Sequence, residues 1–212
     1  MTVNSALAWL AQAGAAVPSM APTAMAGATG QIRAVGADLL AMMVAVDIAA
    51  MDALVAIRTP ILTKMMTSVT GLGSVTAAAV FLGIFYLAGW RRELAVGGVA
   101  IAVVGLVVPT LMYFIQRPFP SDPVCMTSGS GLSPHSFPSG HAAAVTVFAL
   151  VSRGSENLPF RVVTALAATV AVSRIYLGTH YLSDTVVGIV IGVVGFAIGR
   201  ALAPRVRPLI PE

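Results

Sequence analysis

The stretch Phe137-Pro138-Ser139-Gly140-His141 places a histidine at the start of an apolar segment that runs from Gly140 to Ser152. Proline suits the first turn of a helix because the N–H that it lacks has no partner there. Polar groups beside an apolar segment are costly near lipid unless they have partners, and this makes them functional candidates. We therefore expect a short helix that opens at a functional histidine.

The composition indicates an integral membrane protein. Of the 212 residues, 58% are hydrophobic and 9% are charged, whereas a soluble domain has about 45–50% apolar and about 25% charged residues. The net charge of +4 comes from scattered arginines, without the basic stripe and interleaved aromatic residues of a nucleic-acid surface. Cys125 is the single cysteine, and no HExxH pattern is present, so we expect no intrachain disulfide, metal or other cofactor.

Apolar segments of span length predict an all-α fold. The four clearest segments are Val69–Trp90, Leu94–Gln116, Phe160–Leu177 and Thr185–Ala203, and Gly140–Ser152 is a shorter fifth. About 20 residues cross a hydrocarbon core of about 30 Å. The sequence predicts one domain over residues 1–212, a polytopic helical bundle of about six transmembrane helices, with the motifs in residues 50–203.

The N-terminal third is less clearly marked. The segment Ile48–Met66 carries Asp52, Arg58, Pro60 and Lys64 among apolar residues, a mixture that favours an amphipathic helix in the membrane interface. Residues 1–47 are expected to form a weak first span or a surface helix.

Arginines predict the orientation. The pair Arg91-Arg92 lies between the first two long apolar segments, Arg153 and Arg161 flank the next short loop, and further arginines close the chain. An alternating path places all of them on one side, which the positive-inside rule assigns to the cytoplasm. The protein is then a multi-pass cell-membrane protein whose segment 117–138 and His180 lie on the extracytoplasmic side.

A second polar stretch suggests nucleophilic chemistry. His180 and Asp184 are four residues apart, which in a helix places them on one face. An aspartate that accepts from one imidazole nitrogen leaves the other nitrogen basic and nucleophilic. His141, on another segment, is suited to protonate a leaving group.

Arginines and a helix start supply phosphate contacts. The planar guanidinium groups of Arg117 and Arg174 match phosphate oxygens. Ser139 and Gly140 stand where the N–H groups of a helix are free to bind an anion. Together with the histidines, these residues predict a phosphate-handling site that requires no metal.

These motifs resemble those of the type 2 phosphatidic acid phosphatase superfamily, integral membrane lipid phosphatases whose active-site fold is shared with vanadium haloperoxidases. The family signature is Lys-x6-Arg-Pro, then Pro-Ser-Gly-His, then Ser-Arg-x5-His-x3-Asp. The matching residues are Arg117-Pro118, Pro138-Ser139-Gly140-His141, and Ser173-Arg174 with His180 and Asp184.

The resemblance implies a role for each matching residue. His180 attacks phosphorus and forms a phosphohistidine with the help of Asp184, and His141 protonates the leaving group. The phosphoryl oxygens are held by Arg117, Ser139, Gly140 and Arg174. The family's lysine falls on Thr110, which brings no positive charge and predicts weaker stabilisation of the transition state.

The sequence thus predicts a metal-independent phosphatase that cleaves a phosphomonoester or diphosphate from a lipid. Polyprenyl diphosphates and phosphatidate-like or phosphatidylglycerophosphate-like lipids are the expected substrates. A lipid phosphotransferase that uses the same phosphohistidine and a non-catalytic lipid-binding or transport protein are the alternatives. The small-residue face Gly188/Gly192/Gly195/Gly199 predicts packing against another span of the chain or, second, a homodimer.

Overall fold

The structure, a computed structural model, describes residues 22–120, 123–124 and 135–210, with side chains from Arg33 onward. These residues form helices and contain no β-strand, as predicted. In chain order the α-helices are α1 (Pro22–Ala56), α2 (Pro60–Thr70), α3 (Val75–Leu87), α4 (Arg91–Ile115), α5 (Gly140–Arg153), α6 (Phe160–Tyr176) and α7 (Leu182–Val206), and the 3-10 helices are Gly71–Gly73 and Arg207–Leu209.

The chain divides into two compact units, Met1–Val44 and Ala45–Glu212. The second unit contains every motif residue. Of the segment 1–47, residues 1–21 lie outside the described part of the chain. The remainder belongs to α1, whose portion Arg33–Ala56 is 24 residues long and apolar enough to cross a membrane.

Three helical segments of the described chain reach the length and apolarity of a membrane span: Arg33–Ala56, Arg91–Ile115 and Leu182–Leu209. A fourth span results if Pro60–Gly73 and Val75–Leu87 cross as one bent pair. Helices α5 and α6 have 14 and 17 residues, short of the ~20 that a straight crossing takes. The protein is therefore a helical membrane protein, and the number of about six spans stays a prediction.

The predicted amphipathic helix Ile48–Met66 is wrong as a single element. Its first half ends α1 at Ala56, and its second half belongs to α2. The break lies at Thr59, which is extended and accepts a hydrogen bond from the N–H of Leu62 through its hydroxyl group (3.2 Å). Pro60 follows as the first residue of α2, where its missing N–H is not needed.

The segment Val69–Trp90, predicted as one span, is also divided. After the 3-10 turn Gly71–Gly73, Ser74 starts a new helix by accepting the N–H of Ala77 (3.1 Å). The two helical parts are bent by 56°. The turn between them contacts the site described below.

Helices α4, α5 and α7 pack together around an apolar core whose buried members include Ala100, Val104 and Val147. Small residues let α7 approach its neighbours closely. A Cβ atom at Gly188 or Gly192 would lie 2.4 or 2.5 Å from a carbonyl oxygen of the α5 region, and one at Gly199 would lie 2.4 Å from a carbonyl oxygen of α4. The glycine face thus packs against α4 and the α5 region of the same chain, and a homodimer stays a prediction.

Candidate active site

His180 lies in the turn between α6 and α7 and is 4% exposed. Its Nδ1 atom is 2.5 Å from the carbonyl oxygen of Ser136. A carbonyl oxygen can only accept, so Nδ1 carries the proton in this contact. In the neutral ring the lone pair is then on Nε2, which makes Nε2 the basic and nucleophilic nitrogen.

Asp184 is fully buried in the first turn of α7, whereas His180 precedes that helix. The expectation that both residues share one helical face is therefore wrong. The Oδ2 atom of Asp184 accepts the N–H of Tyr181 at 2.9 Å, as a cap of the helix, and lies 3.8 Å from Nδ1 of His180. At that distance the carboxylate can stabilise positive charge on the imidazole, but Ser136 holds the tautomer.

Arg117 joins two carboxylates. It follows Gln116, a residue with a left-handed backbone (φ 48°) that ends α4. Its Nη1 atom donates to Asp184 (2.6 Å) and to Ser183 (2.7 Å), and its Nη2 atom donates to Asp47 (2.7 Å). Burial lowers the pKa of Arg117, but its bond to Asp47 and the charge of Asp184 outweigh that effect and raise the pKa above its usual value. Both terminal nitrogens of this predicted phosphate ligand are thus engaged with side chains of the protein.

Asp47 is a member of this cluster that the sequence analysis did not identify. It is 1% exposed on α1. Its carboxylate accepts from the backbone N–H of Ser183 (2.8 Å) and from the hydroxyl group of Ser183 (2.6 Å), as well as from Arg117. A charged residue within an apolar helix is a functional signal in a membrane protein, and that signal was present in the sequence around Val46 and Ile48.

Ser136 is the second residue that the motifs did not reveal. It is fully buried, its N–H donates to the carbonyl group of Arg117 (2.8 Å), and its hydroxyl group donates to that of Pro118 (3.0 Å). Because its own carbonyl group accepts from His180, Ser136 connects the Arg-Pro motif to the nucleophile. The contact is made by the backbone, which no residue pattern marks.

His141 is the second residue of α5 and packs against the turn Gly71–Gly73. A Cβ atom at Gly73 would lie 3.0 Å from both Cβ and Cδ2 of His141 and 3.0 Å from Val170. Gly73 therefore permits a close approach that fixes one side of the imidazole.

Arg174, near the end of α6, supplies positive charge to both histidines. Its Nη1 atom donates to the hydroxyl group of Thr70 at 2.9 Å. Burial and then the charge of Arg174 lower the pKa of His180 to about 3, although the bond to Ser136 opposes them. The imidazole of His180 is consequently neutral near pH 7.

The other predicted ligands have mainly structural contacts. Ser139 caps α5 by accepting the N–H of Ala142 (3.4 Å), and its own N–H donates to the carbonyl group of Asp184 (3.0 Å). Gly140 follows as the first residue of α5. Ser173 is buried and donates to the carbonyl group of Val170 in its own helix (2.6 Å).

Thr110 is exposed on α4 and donates its hydroxyl group to the carbonyl group of Leu106 (2.7 Å). The position of the family's lysine thus carries a hydroxyl group that is bonded to its own helix. Among the described residues, no three His, Cys, Asp or Glu side chains converge in a way that could hold a metal ion.

Comparisons with known proteins agree on the class. The family model of the PAP2 superfamily matches residues 93–207. The decaprenylphosphoryl-5-phosphoribose phosphatase of Mycobacterium tuberculosis is 36% identical over 111 residues, which cover 52% of this chain and 62% of that protein, less than two thirds of its length. The phosphatidylglycerophosphatase B of Bacillus subtilis is 27% identical over 179 residues, covering 76% and 85% of the two chains.

Two solved structures are similar. LpxE of Aquifex aeolicus has a TM-score of 0.61 and 27% identity and covers 72% of this chain and 93% of its own. A transmembrane PAP2-type phosphatidylglycerolphosphate phosphatase from Bacillus subtilis has a TM-score of 0.65, covers 76% and 85%, and at 23% identity supports the fold alone.

Proposed function

The chain belongs to the PAP2 superfamily, and from this premise we propose that it is a membrane lipid phosphatase that works through a phosphohistidine at His180. One observation carries the proposal. The Ser136 carbonyl group accepts from Nδ1 of His180, so that Nε2 of a neutral imidazole is available as the nucleophile.

The reaction then has two steps. In the first, the Nε2 lone pair forms a bond to phosphorus while the bond from phosphorus to the lipid oxygen breaks, and His141 donates a proton to that oxygen. Burial and the charge of Arg174 lower the pKa of His141 to about 3 in the free protein, and the negative charge of the bound phosphate opposes Arg174 and raises that pKa, so that His141 carries a proton when substrate is bound. In the second, His141 accepts a proton from water, the water oxygen bonds to phosphorus, and the P–N bond breaks. Asp184, 3.8 Å from Nδ1, stabilises the positive charge that the ring of His180 carries between the steps.

Arg174 is proposed to hold the phosphoryl oxygens, with Thr70 fixing its guanidinium group. The first N–H groups of α5, at Gly140 and His141, have no partner within the helix and provide further contacts. For Arg117 we propose a positioning role, because its terminal nitrogens hold Asp47 and Asp184.

The proposed substrate is a lipid with a terminal phosphate, either a polyprenyl diphosphate or a phosphatidate-like or phosphatidylglycerophosphate-like lipid. The relative in Mycobacterium tuberculosis is named as a phosphatase of decaprenylphosphoryl-5-phosphoribose, and the relative in Bacillus subtilis is named as a phosphatidylglycerophosphatase. An apolar cavity of about 170 Å³ between α3, α5 and α6 is lined by Leu72 and Val170, next to the turn that contacts His141. It offers room for part of an acyl or prenyl chain.

Phosphate release from purified protein in detergent tests the proposal across a panel of these lipids. We expect His180→Ala to release no phosphate, whereas His135→Ala, a histidine outside the motifs, is the matched control and should be active. His141→Ala should lose lipid hydrolysis yet release a burst of p-nitrophenol from p-nitrophenyl phosphate, because that leaving group departs without a proton whereas hydrolysis of the phosphohistidine still requires His141.

Unmodified protein that is inert on every lipid would overturn the enzyme proposal. Phosphate transfer that occurs only when a lipid or sugar hydroxyl acceptor is added would identify the phosphotransferase alternative. Full activity in excess EDTA is expected, and its loss would contradict the metal-independent mechanism.

A further inference from the structure

Besides the apolar cavity described above, a polar cavity lies between the ends of α4, α5 and α7 that are remote from His141 and His180. Its volume is about 750 Å³, within the range of ligand-binding cavities. Its polar lining residues are Arg92, Glu93, Arg153, Arg200 and Arg207, and apolar ones include Val96, Leu150 and Phe196. We call it the arginine cavity.

The arginine cavity is separate from the proposed active site. Helix α5 begins at Gly140, beside His141, and ends at Arg153, which lines the cavity. Its 14 residues rise by about 1.5 Å each, which places the two ends roughly 20 Å apart. The ends of α4 are also far apart, because this helix starts at the cavity with Arg92 and its 25 residues end next to Arg117, about 35 Å away.

Positive charge exceeds negative charge in this cavity. Four arginines line it, and Glu93 is the single carboxylate among its lining residues. Glu93 is buried and accepts a hydrogen bond from the hydroxyl group of Ser155 (2.6 Å). Arg92 is held in place by its bond to the carbonyl group of Gly154. The guanidinium groups of arginines that line one cavity match the oxygens of a phosphate group.

The surroundings indicate a ligand that is also apolar. Val96, Leu150 and Phe196 form part of the wall, and the helices α4 and α7 that contribute to it are long and apolar enough to cross a membrane. The cavity is thus open to both a charged head group and a hydrocarbon chain. Basic cavities between transmembrane helices bind anionic lipid head groups in other membrane proteins.

We propose that the arginine cavity binds the phosphate head group of an anionic glycerophospholipid, in the leaflet opposite the active site. The lipid is bound without being hydrolysed, because none of the proposed catalytic histidines lies at this end of the helices. The site would fix the ends of α4, α5 and α7 relative to one another whenever such lipid is present.

Native mass spectrometry of the full chain, released from micelles with phosphatidylglycerol or phosphatidylcholine, tests this binding. The test variant is Arg153→Gln/Arg200→Gln, which removes two positive charges from the cavity. The matched control is Arg205→Gln, on the same end of α7 but outside the lining. We expect the unmodified protein and the control to retain phosphatidylglycerol in preference to phosphatidylcholine.

The double variant should bind phosphatidylglycerol about 30-fold more weakly, since each basic residue near a lipid surface contributes roughly a factor of five. Its phosphate release from the lipid substrate, measured in detergent without phosphatidylglycerol, should equal that of the unmodified protein, which verifies the fold. An equal loss of binding in Arg205→Gln would overturn the proposal in favour of general surface charge. Displacement of the lipid by equimolar inorganic phosphate would overturn it in favour of a soluble anion.

Discussion

At the scale of single residues, the carbonyl oxygen of Ser136 decides which nitrogen of His180 is nucleophilic. It accepts from Nδ1 at 2.5 Å, while Asp184 lies 3.8 Å away and is occupied by Arg117 and Tyr181. The backbone carbonyl group of Ser136 thereby orients the imidazole ring, and the carboxylate of Asp184 is left to stabilise its positive charge. The nucleophile is proposed to be a neutral imidazole whose burial prevents protonation.

The first prediction concerns pH. Burial and, second, the charge of Arg174 lower the pKa of His180 to about 3, so the nucleophilic neutral form is lost only as the pH falls towards that value. In Arg174→Gln the second of these causes is gone, and the pKa of His180 should rise towards 6.5. The acidic limb of kcat/KM should then move to higher pH, in addition to a general loss of activity from weaker phosphate binding.

Profiles of kcat/KM against pH are recorded with one substrate for all variants, so that the ionisation of the substrate phosphate contributes equally to each profile. Arg161→Gln is the matched control, since Arg161 is exposed at the other end of α6. An acidic limb at the same pH in Arg174→Gln and in unmodified protein would show that Arg174 does not act on the nucleophile.

The second prediction concerns Asp47. Asp47→Asn keeps the size of the side chain but removes the charge that holds Arg117 and Ser183 beside Asp184. Hydrogen bonds to charged groups contribute about 1.5–3 kcal/mol, which corresponds to a loss of about 10- to 100-fold in kcat/KM if the cost falls on the transition state. Steady-state phosphate release measures the loss.

Asp52→Asn is the control for Asp47, because Asp52 is an exposed carboxylate on the same helix. It should change kcat/KM by less than about twofold, as surface substitutions have small effects. Equal activities of Asp47→Asn and Asp52→Asn would mean that the bond to Arg117 has no part in the reaction.

At the scale of helices, the sequence predicts apolar segments well and their breaks poorly. The predicted segments around α4 and α7 agree with the structure, because a long apolar stretch must either be buried within the protein or cross the membrane. The breaks at Thr59 and Ser74 depend on single hydroxyl groups that cap the next helix, a local preference worth about 1 kcal/mol. The polar cluster of Asp47 could not be predicted from spacing, because it joins residues 70 and 136 positions apart.

The third prediction uses the turn that divides Val69–Trp90. A Cβ atom at Gly73 would press on His141 at 3.0 Å, whereas one at Gly71 would meet no atom within 4 Å. Gly73→Ala should therefore displace the imidazole by a few tenths of an ångström and lower kcat by about tenfold, with little change in KM, because catalysis is sensitive to such shifts.

Gly71→Ala, two residues away in the same turn, is the matched control and should retain kcat. Both variants are compared in lipid hydrolysis and in thermal unfolding, so that a loss of fold is distinguished from a loss of rate. A kcat for Gly73→Ala that equals the kcat for Gly71→Ala would remove the positioning role of this turn.

At the scale of the whole molecule, the ends of α4, α5 and α7 differ in chemistry. One end carries the histidines and the cluster of Arg117, and the other carries the arginine cavity. The positive-inside rule predicts that the arginine end faces the cytoplasm. Arg58 is a cation that the same path places at the opposite end, against this rule. Its Nε and Nη2 atoms donate to the carbonyl group of Tyr176 at 2.9 and 2.6 Å, and its guanidinium carbon lies 5.8 Å from the centre of the Tyr176 ring. Its place is therefore explained by a specific contact.

The fourth prediction is that the active-site end faces the outside of the cell. Cys125, the single cysteine, lies in sequence between Arg117 and Pro138, so a membrane-impermeant maleimide should label it in intact cells. In Cys125→Ser/Asn157→Cys the new thiol is at an exposed position between α5 and α6, at the arginine end, and should react only after the membrane is permeabilised. Labelling in the reverse pattern would place the phosphatase site in the cytoplasm, where it would act on lipids of the inner leaflet, and would move the arginine cavity to the outer one.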